Sequence, residues 1–300
     1  MSEATSSQRV LSDADIEHFV EHGYVILRRA FDPAVASAWV DEGFKRLGYD
    51  RRDPTTWANP RIHMPTTKTI DVRDIAPRVW QAVCELLGGE ERLRVPYNWS
   101  DAFIMNLGVG ADQPWAPPSA ASKGWHKDGD FFRHFLDSPE QALLTIVCWT
   151  DMVHTGGGTF IAPDSVAHVA KFLAARPEGV TPNAFSGLIN ECRDFIELTG
   201  NAGDVVLHHP FMLHATSQNV LRVERAITNP PVMLKEPMNF NRANPAEFSA
   251  VERGVLRGLG VERLDFKPTA PRERIVPDRV RVQAKMLEEE KARAAAAAAS

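Results

Sequence analysis

The order of apolar and polar positions divides the chain into a helical first part, a strand-rich middle and a helical end. At residues 12–22, apolar side chains recur at helical spacing, and Ser12 with Asp15 three positions later is typical of a capping box. Gly23 is predicted to end this helix. Further helices are predicted at residues 33–47, 76–87, 166–175, 247–259 and 280–298.

The middle of the chain alternates short apolar runs with turns rich in Gly and Pro. Strands are predicted at residues 24–27, 93–95, 102–107, 143–149, 159–161, 194–198, 204–213 and 225–234. Two segments without periodicity, 48–69 and 108–123, are predicted to be loops, the first lying over a pocket. This pattern predicts a mainly β fold with flanking helices, as in a sandwich or barrel. We expect one domain over residues 1–300, with a barrel core at about 93–234, a helical N-terminal part at about 12–90 and a helical extension at about 245–300.

The charged last helix ends in an alanine run that favours helix and offers little to bury, so we expect its final turns to fray or to contact another chain. The net charge of -5 gives no reason to expect a nucleic-acid partner, and no apolar run is long enough for a membrane span. Met1–Val10 is polar and lacks the apolar core of a secretory signal. The three cysteines, odd in number and far apart, fit reduced thiols in a cytoplasmic protein. The oligomeric state is not predicted.

The candidate chemistry begins at residues 124–128, Gly-Trp-His-Lys-Asp. On a strand, His126 and Asp128 would face the same side, because side chains alternate with a period of two. Residues 203–214 offer a further histidine, and two histidines with one carboxylate form the facial triad of non-heme Fe(II) oxygenases. His208 and His214 both qualify as the third ligand, and Asp130 is a weaker rival for the carboxylate.

A basic residue follows this segment on what we expect to be the neighbouring strand. An arginine there, Arg225 or its rival Arg222, can form a two-pronged ion pair with a carboxylate in a dry site. The Thr216 hydroxyl offers the same carboxylate a second hydrogen bond. A metal triad beside such a clamp is what a 2-oxo acid chelated to iron requires.

From Ile16 to about Leu234 the chain resembles the phytanoyl-CoA dioxygenase superfamily of Fe(II)/2-oxoglutarate oxygenases. The resemblance rests, in chain order, on FVEHGYVIL (19–27), WHKD (125–128), IVCWTDM (146–152), GGGT (156–159), APDS (162–165) and GDVVLHHPFMLHAT (203–216), followed by Asn219 and Arg225. It implies a double-stranded β-helix, the cupin-like jelly roll. One departure is Asp164, which stands where the family usually has glycine.

The resemblance also implies roles for individual residues. Iron would be bound by His126, Asp128 and His214, and the distal carboxylate of 2-oxoglutarate by Arg225 and Thr216. Trp149 would line the cosubstrate pocket, although a plain core role is as good a reading of a tryptophan on a buried strand.

The predicted function is oxidation, first of all hydroxylation, of an unactivated C–H bond in a small molecule by O2, with 2-oxoglutarate converted to succinate and CO2. Asp128 disfavours halogenation, because relatives that transfer halide have a small residue at that position. Desaturation, epimerisation and ring closure remain open. The alternative is a non-catalytic or zinc-binding cupin-type protein on the same fold, which would leave Arg225 without a purpose.

Overall fold

The computed structural model describes residues 9–299, so the expectation about Met1–Val10 lies almost wholly outside the described residues. The helices are α1 Asp13–His22, α2 Pro33–Leu47, α3 Val72–Ile75, α4 Pro77–Leu87, α5 Ser165–Ala174, α6 Ala250–Leu259 and α7 Arg279–Ala299. The strands are β1 Tyr24–Leu27, β2 Arg61–His63, β3 Thr69–Asp71, β4 Asn98–Ser100, β5 Ile104–Asn106, β6 Leu143–Cys148, β7 Thr159–Ala162, β8 Ile196–Leu198, β9 Val205–His208, β10 Leu213–Thr216, β11 Arg225–Thr228 and β12 Pro231–Val232. No helix in this range is long and apolar enough to cross a membrane.

Two antiparallel sheets form the centre of the fold. The larger has the strand order β1-β9-β6-β11-β5-β2, with β12 paired to β6, and the smaller has the order β10-β7-β8. Strand β6 is buried at every position, as its apolar, β-branched sequence predicts for a strand covered on both faces. The sheet-rich fold with helices around it agrees with the sequence prediction.

The first helix forms as its capping pattern predicts. The Ser12 hydroxyl accepts a hydrogen bond from the Asp15 amide, and the Asp15 carboxylate accepts one from the Ser12 amide. Gly23 ends the helix in the left-handed region, at φ 76°. A Cβ there would lie 2.8 Å from Val166 and 2.9 Å from Met212, so glycine is also needed for close packing against α5 and the chain before β10.

The prediction of one continuous strand over residues 204–213 is wrong. The segment forms β9 in the larger sheet and then β10 in the smaller one, so His208 and His214 lie on different strands. The chain turns between them at residues 209–212, where the Met212 amide donates to the His209 carbonyl and Pro210 has no amide to contribute to a ladder.

Two further predictions fail in the less regular parts of the chain. Residues 48–69 contain β2, an outer strand of the larger sheet, and are not only a loop. Residues 93–95 form a single β-bridge at Leu93 and no strand. In contrast, Pro230 and Pro231 interrupt the predicted strand 225–234, as their lack of amide donors indicates, and divide it into β11 and β12.

The earlier turns of the last helix pack against the rest of the chain, whereas the expectation for its final alanine-rich turns stays a prediction. Glu290 pairs with Arg46, whose side chain is only 12% exposed, and Gln283 donates to the Met64 carbonyl. At its start, Arg279 forms a two-pronged ion pair with Asp130, two residues after the candidate ligand Asp128. The helix therefore forms part of the surroundings of the candidate site.

Candidate functional site

The two ends of the candidate metal triad meet through a single β-bridge. His126 exchanges both backbone hydrogen bonds with His214 of β10, each at 3.0 Å, so these two ligands are held opposite each other. Asp128 follows two residues later on a segment that is otherwise irregular. One ligand atom from each of the three residues lies within 4.8 Å of the other two. The structure thus brings together the three residues that the resemblance selects.

Both imidazoles are oriented so that one nitrogen faces the centre of the triad. The Nδ1 atoms of His126 and His214 lie 2.8 Å and 3.2 Å from the carbonyls of Gly124 and Met212, which assigns the Nδ1 protons to those bonds. The Nε2 atoms then face the Asp128 carboxylate at 3.3 Å and 3.5 Å. In a neutral histidine whose proton is on Nδ1, the Nε2 atom is a hydrogen-bond acceptor. Here two such nitrogens face carboxylate oxygens, which are also acceptors, so the arrangement calls for a cation between them. A divalent metal with nitrogen and oxygen ligands fits this donor set.

The charge on Asp128 is secured by its neighbours. Burial would raise the pKa of this carboxyl, but His214 and His126 hold it well below its usual range. Asn229, which follows β11, donates its side-chain amide to Asp128 Oδ2 at 2.5 Å. This bond fixes the rotation of the carboxylate and leaves Oδ1 toward His126. Asn229 was not identified from the sequence, where it precedes two prolines and resembles an ordinary turn residue.

The rivals for the ligand positions have other contacts. Asp130 points to the mouth of the site and pairs with Arg279. His208 is fully buried, its ring centre lies 5.4 Å from that of His214, and burial lowers its pKa to about 3. It is a neutral neighbour of the triad and does not belong to it.

A buried lysine lies between the two ligands of the His-x-Asp motif. Lys127 Nζ donates to Gln141 at 3.1 Å, lies 3.0 Å from His134 Nδ1, and binds the Asp128 carbonyl. Burial lowers the pKa of Lys127 to about 7 and, with the lysine beside it, that of His134 to about 2. These contacts anchor the segment that carries both ligands.

A cavity of about 530 Å³ opens onto the triad between the two sheets. Its apolar wall includes Ile104, Ile146 and Ile227 of the larger sheet, and Thr159 comes from the smaller sheet. The polar residues at its rim are Arg61, His63, Asn183, Asn229, Arg279 and Gln283. A cavity of this size and mixed character is suited to a small molecule. The sequence did not indicate the rim, because its members come from β2, from two loops and from α7.

Arg225 lies on β11, two residues before the cavity residue Ile227, and is only 1% exposed. Its Nη1 donates to the Ile104 carbonyl at 3.1 Å and its Nε to the Gly157 carbonyl. Burial, with the Arg61 charge nearby, lowers its pKa to about 9. No carboxylate among residues 9–299 lies within ion-pair distance of it. An unpaired buried guanidinium is costly, so the site calls for an anion.

The sequence predicts that Arg225 lies on a strand next to that of His214, and the structure corrects this prediction. His214 and Arg225 lie on consecutive strands, β10 and β11, but these belong to different sheets and are not neighbours. Asn219, in the turn between them, donates to the carbonyls of Asn106 and Val223 and so fixes the crossing. Thr216 lies two residues after His214 on the same strand face, and it pairs with Thr159 of the cavity wall.

Trp149 does not reach the cavity. Its fully buried ring stacks on Trp39, with ring centres 4.9 Å apart, and packs edge-on against Phe31 and Phe103. Its indole N–H donates to the hydroxyl of Thr228, which does line the cavity. Trp149 is therefore a core residue that supports the cavity wall at Thr228, and its predicted place beside the cosubstrate stays a prediction. The rival Arg222 is exposed, in the turn before β11.

The family model described as phytanoyl-CoA dioxygenase (PhyH) matches residues 19–225 of the chain. No curated protein sequence matches it. Similar solved structures include the non-heme monooxygenase ThoJ as a nickel complex, at 19% identity and TM-score 0.44, covering 93% of this chain and 96% of that one. HygX from Streptomyces hygroscopicus with nickel and 2-oxoglutarate is 12% identical, with TM-score 0.46 and coverage of 75% and 88%. The carbocyclase SnoK from nogalamycin biosynthesis is 16% identical, with TM-score 0.45 and coverage of 77% and 88%.

Proposed function

We propose that this chain, which belongs to the phytanoyl-CoA dioxygenase family, hydroxylates an unactivated C–H bond of a small molecule. As a member of that family it is a non-heme Fe(II)/2-oxoglutarate-dependent oxygenase, with Fe(II) as cofactor and 2-oxoglutarate as cosubstrate. The overall reaction would be R–H + O2 + 2-oxoglutarate → R–OH + succinate + CO2. We also assign the two sheets around the cavity to the double-stranded β-helix of the family.

The observation that carries the proposal is the triad of His126, Asp128 and His214. Two inward imidazole nitrogens opposed to one ionised carboxylate make a donor set for Fe(II) that leaves the positions on the cavity side open. Bound iron would supply the activation of O2 and the oxidation of the C–H bond. The protein supplies the orientation of the ligands through the Gly124 and Met212 carbonyls and through Asn229.

For the cosubstrate, we assign Arg225 to the distal carboxylate. A dicarboxylate would give the buried guanidinium the counter-charge that no described residue provides. Arg225 keeps a fixed direction through its bonds to two backbone carbonyls. We assign Thr216 as the second donor because it shares the face of His214. Trp149 supports the cavity wall through its hydrogen bond to Thr228.

The choice of hydroxylation rests on Asp128 and on the substrate side of the cavity. Asp128 would be the third protein ligand of bound iron, and a carboxylate at this position would leave no protein-side place for a halide. The isoleucines of the larger sheet give this side of the cavity an apolar wall, which suits a C–H bond. At the rim, Arg279 is neutralised by Asp130, while Arg61 has no carboxylate within ion-pair distance among the described residues.

The first test is the anaerobic addition of Fe(II) and then 2-oxoglutarate to metal-free protein. We expect the visible charge-transfer band of the iron–2-oxoglutarate chelate in the wild type and its loss in His214→Ala. His208→Asn is the matched control, because it alters the rival histidine and should keep the band. A folded wild type without a band, or a band that survives in His214→Ala and disappears in His208→Asn, would overturn the assignment.

The type of oxidation is tested after O2 is admitted. Compounds are screened for those that accelerate succinate formation, and the product of any such compound is weighed by mass spectrometry under 18O2. Gain of one labelled oxygen supports hydroxylation. A product two hydrogens lighter, or one of unchanged mass, would replace it by desaturation or epimerisation on the same triad.

A further inference from the structure

A second group of metal-ligating side chains lies at the start of α5, separate from the active site. Asp164, His168 and Cys192 each offer a ligand atom within 4.8 Å of the other two. Glu191 approaches from the exposed side, with its Oε2 3.1 Å from His168 Nδ1. The group, here called the α5 cluster, thus contains one soft donor, one imidazole and two carboxylates.

Asp164 has the position of a helix cap without acting as one. It precedes α5 directly, yet its side chain accepts no hydrogen bond from the helix. Oδ2 instead accepts the Arg193 amide at 2.6 Å and the Asp194 amide at 3.3 Å. These bonds fix the carboxylate, and its Oδ1 is buried without any hydrogen-bond partner. A buried oxygen of this kind is normally satisfied, so its exception calls for an explanation.

Cys192 is the most buried member of the cluster, with 0% exposure. Its Sγ contacts the Leu188 carbonyl at 3.7 Å, and the thiol also interacts with the Asp164 carboxylate. Burial and the Asp164 charge raise the pKa of the thiol to about 12, so it is protonated in the absence of a cation. A cysteine beside a histidine and a carboxylate is a typical donor set for Zn(II), which has no strong geometric preference.

We propose that the α5 cluster binds a divalent metal of the zinc class through the Cys192 thiolate, the His168 imidazole and the Asp164 carboxylate. Glu191 is the fourth ligand, because it already contacts the imidazole and its side chain is 59% exposed. Binding releases the Cys192 proton to solvent and places a cation beside the buried Asp164 Oδ1. Asp164 stands where the family usually has glycine, and glycine has no side chain to offer as a ligand.

Such a site would tie two parts of the fold together near the active site. Asp164 directly precedes α5, and Cys192 follows the 3-10 turn at Leu188–Glu191. The hydroxyl of Ser165, the residue after Asp164, accepts a hydrogen bond of 2.8 Å from the amide of Leu213. Leu213 directly precedes the active-site ligand His214. A metal ion in the α5 cluster would therefore hold the end of α5 on which β10 depends, and its role would be structural.

The test is the titration of reduced, metal-free full-length protein with Co(II) under anaerobic conditions. The α5 cluster contains sulfur and the active-site triad does not, so a thiolate-to-cobalt charge-transfer band in the near ultraviolet reports only the former. We expect the band in the wild type, its loss in Cys192→Ser, and at least about tenfold weaker binding in Asp164→Asn. Cys84→Ser, which alters a half-buried cysteine of α4, is the matched control and should keep the band.

Thermal unfolding gives a second reading. Zn(II) should raise the Tm of the wild type more than that of Cys192→Ser, because the active-site triad is unchanged in both. A wild type without the band, or a band that persists in Cys192→Ser, would overturn the proposal. A weak band that Asp164→Asn does not alter would also overturn it, because it would indicate an isolated thiolate only.

Discussion

The hydrogen bond between Asn229 and Asp128 offers the sharpest test of how the ligands are held. Asn229→Ala removes a donor 2.5 Å from Asp128 Oδ2 and leaves the ligand itself intact. Hydrogen bonds to charged groups contribute about 1.5–3 kcal/mol, and loss of a group that orients a ligand weakens metal binding about 10- to 100-fold. Since a tenfold change corresponds to about 1.4 kcal/mol, the two ranges agree. We expect a loss of that size in Fe(II) affinity.

Affinity is measured by anaerobic competition between the protein and a chromophoric chelator. Asn229→Asp should weaken binding more than Asn229→Ala, because it opposes a second carboxylate to Asp128 at nearly constant shape. Asn183→Ala is the matched control, since this asparagine also lines the cavity and has no contact with the triad. Unchanged Fe(II) affinity in Asn229→Ala, with the wild-type Tm, would refute the idea that this bond orients the carboxylate.

Three further results are expected. Arg225→Met should weaken 2-oxoglutarate binding by about 2–5 kcal/mol in calorimetry, whereas Arg222→Met, at the exposed rival, should leave it unchanged. Trp149→Phe should lower the free energy of unfolding by at least about 1 kcal/mol, through the lost bond to Thr228 and the void left by the smaller ring, with 2-oxoglutarate affinity unchanged; a tenfold weaker affinity would place Trp149 at the pocket wall. Asp204→Asn should cost about 1.5–3 kcal/mol near neutral pH in denaturant unfolding. Although burial would raise the pKa of Asp204, the amides of Asn201 and Arg29 and the Arg28 guanidinium lower it, so this stability is present above the unfolded pKa and disappears as pH falls through the folded one.

Local patterns allowed most of the helices and the His-x-Asp part of the metal triad to be predicted. The capping box at Ser12 and the glycine after the helix are set by residues within one turn of each other, so their outcome needs no tertiary contact. The same holds for His126 and Asp128, whose two-residue spacing determines a shared face even on an irregular segment with one β-bridge. Such signals depend on chain geometry over a few residues, and the structure retains them.

The sequence does not predict which strands pair, and the strands that carry His214 and Arg225 show why. A run from Gly203 to His214 has the apolar composition of one strand, and only the turn at Pro210 sends its halves into different sheets. The inference that strands close in sequence are neighbours in a sheet also fails for Arg225. It follows His214 closely in sequence but pairs with Asn106, more than a hundred positions earlier. Neighbours along the chain are neighbours in a sheet only when hydrogen bonds between strands make them so.

The polar rim of the cavity is the part of the site that the sequence predicts least. Arg61 lies on a strand in a segment that resembles a loop, Asn229 precedes two prolines, and Arg279 begins a helix rich in charge. Each has the local sequence of a solvent-exposed position, and only the packing of α7 and β2 around the triad gives them a common purpose. The ligands of a metal must lie within a few ångströms of one point, which constrains their spacing. A substrate rim has no such requirement, so its residues are identified from the folded chain.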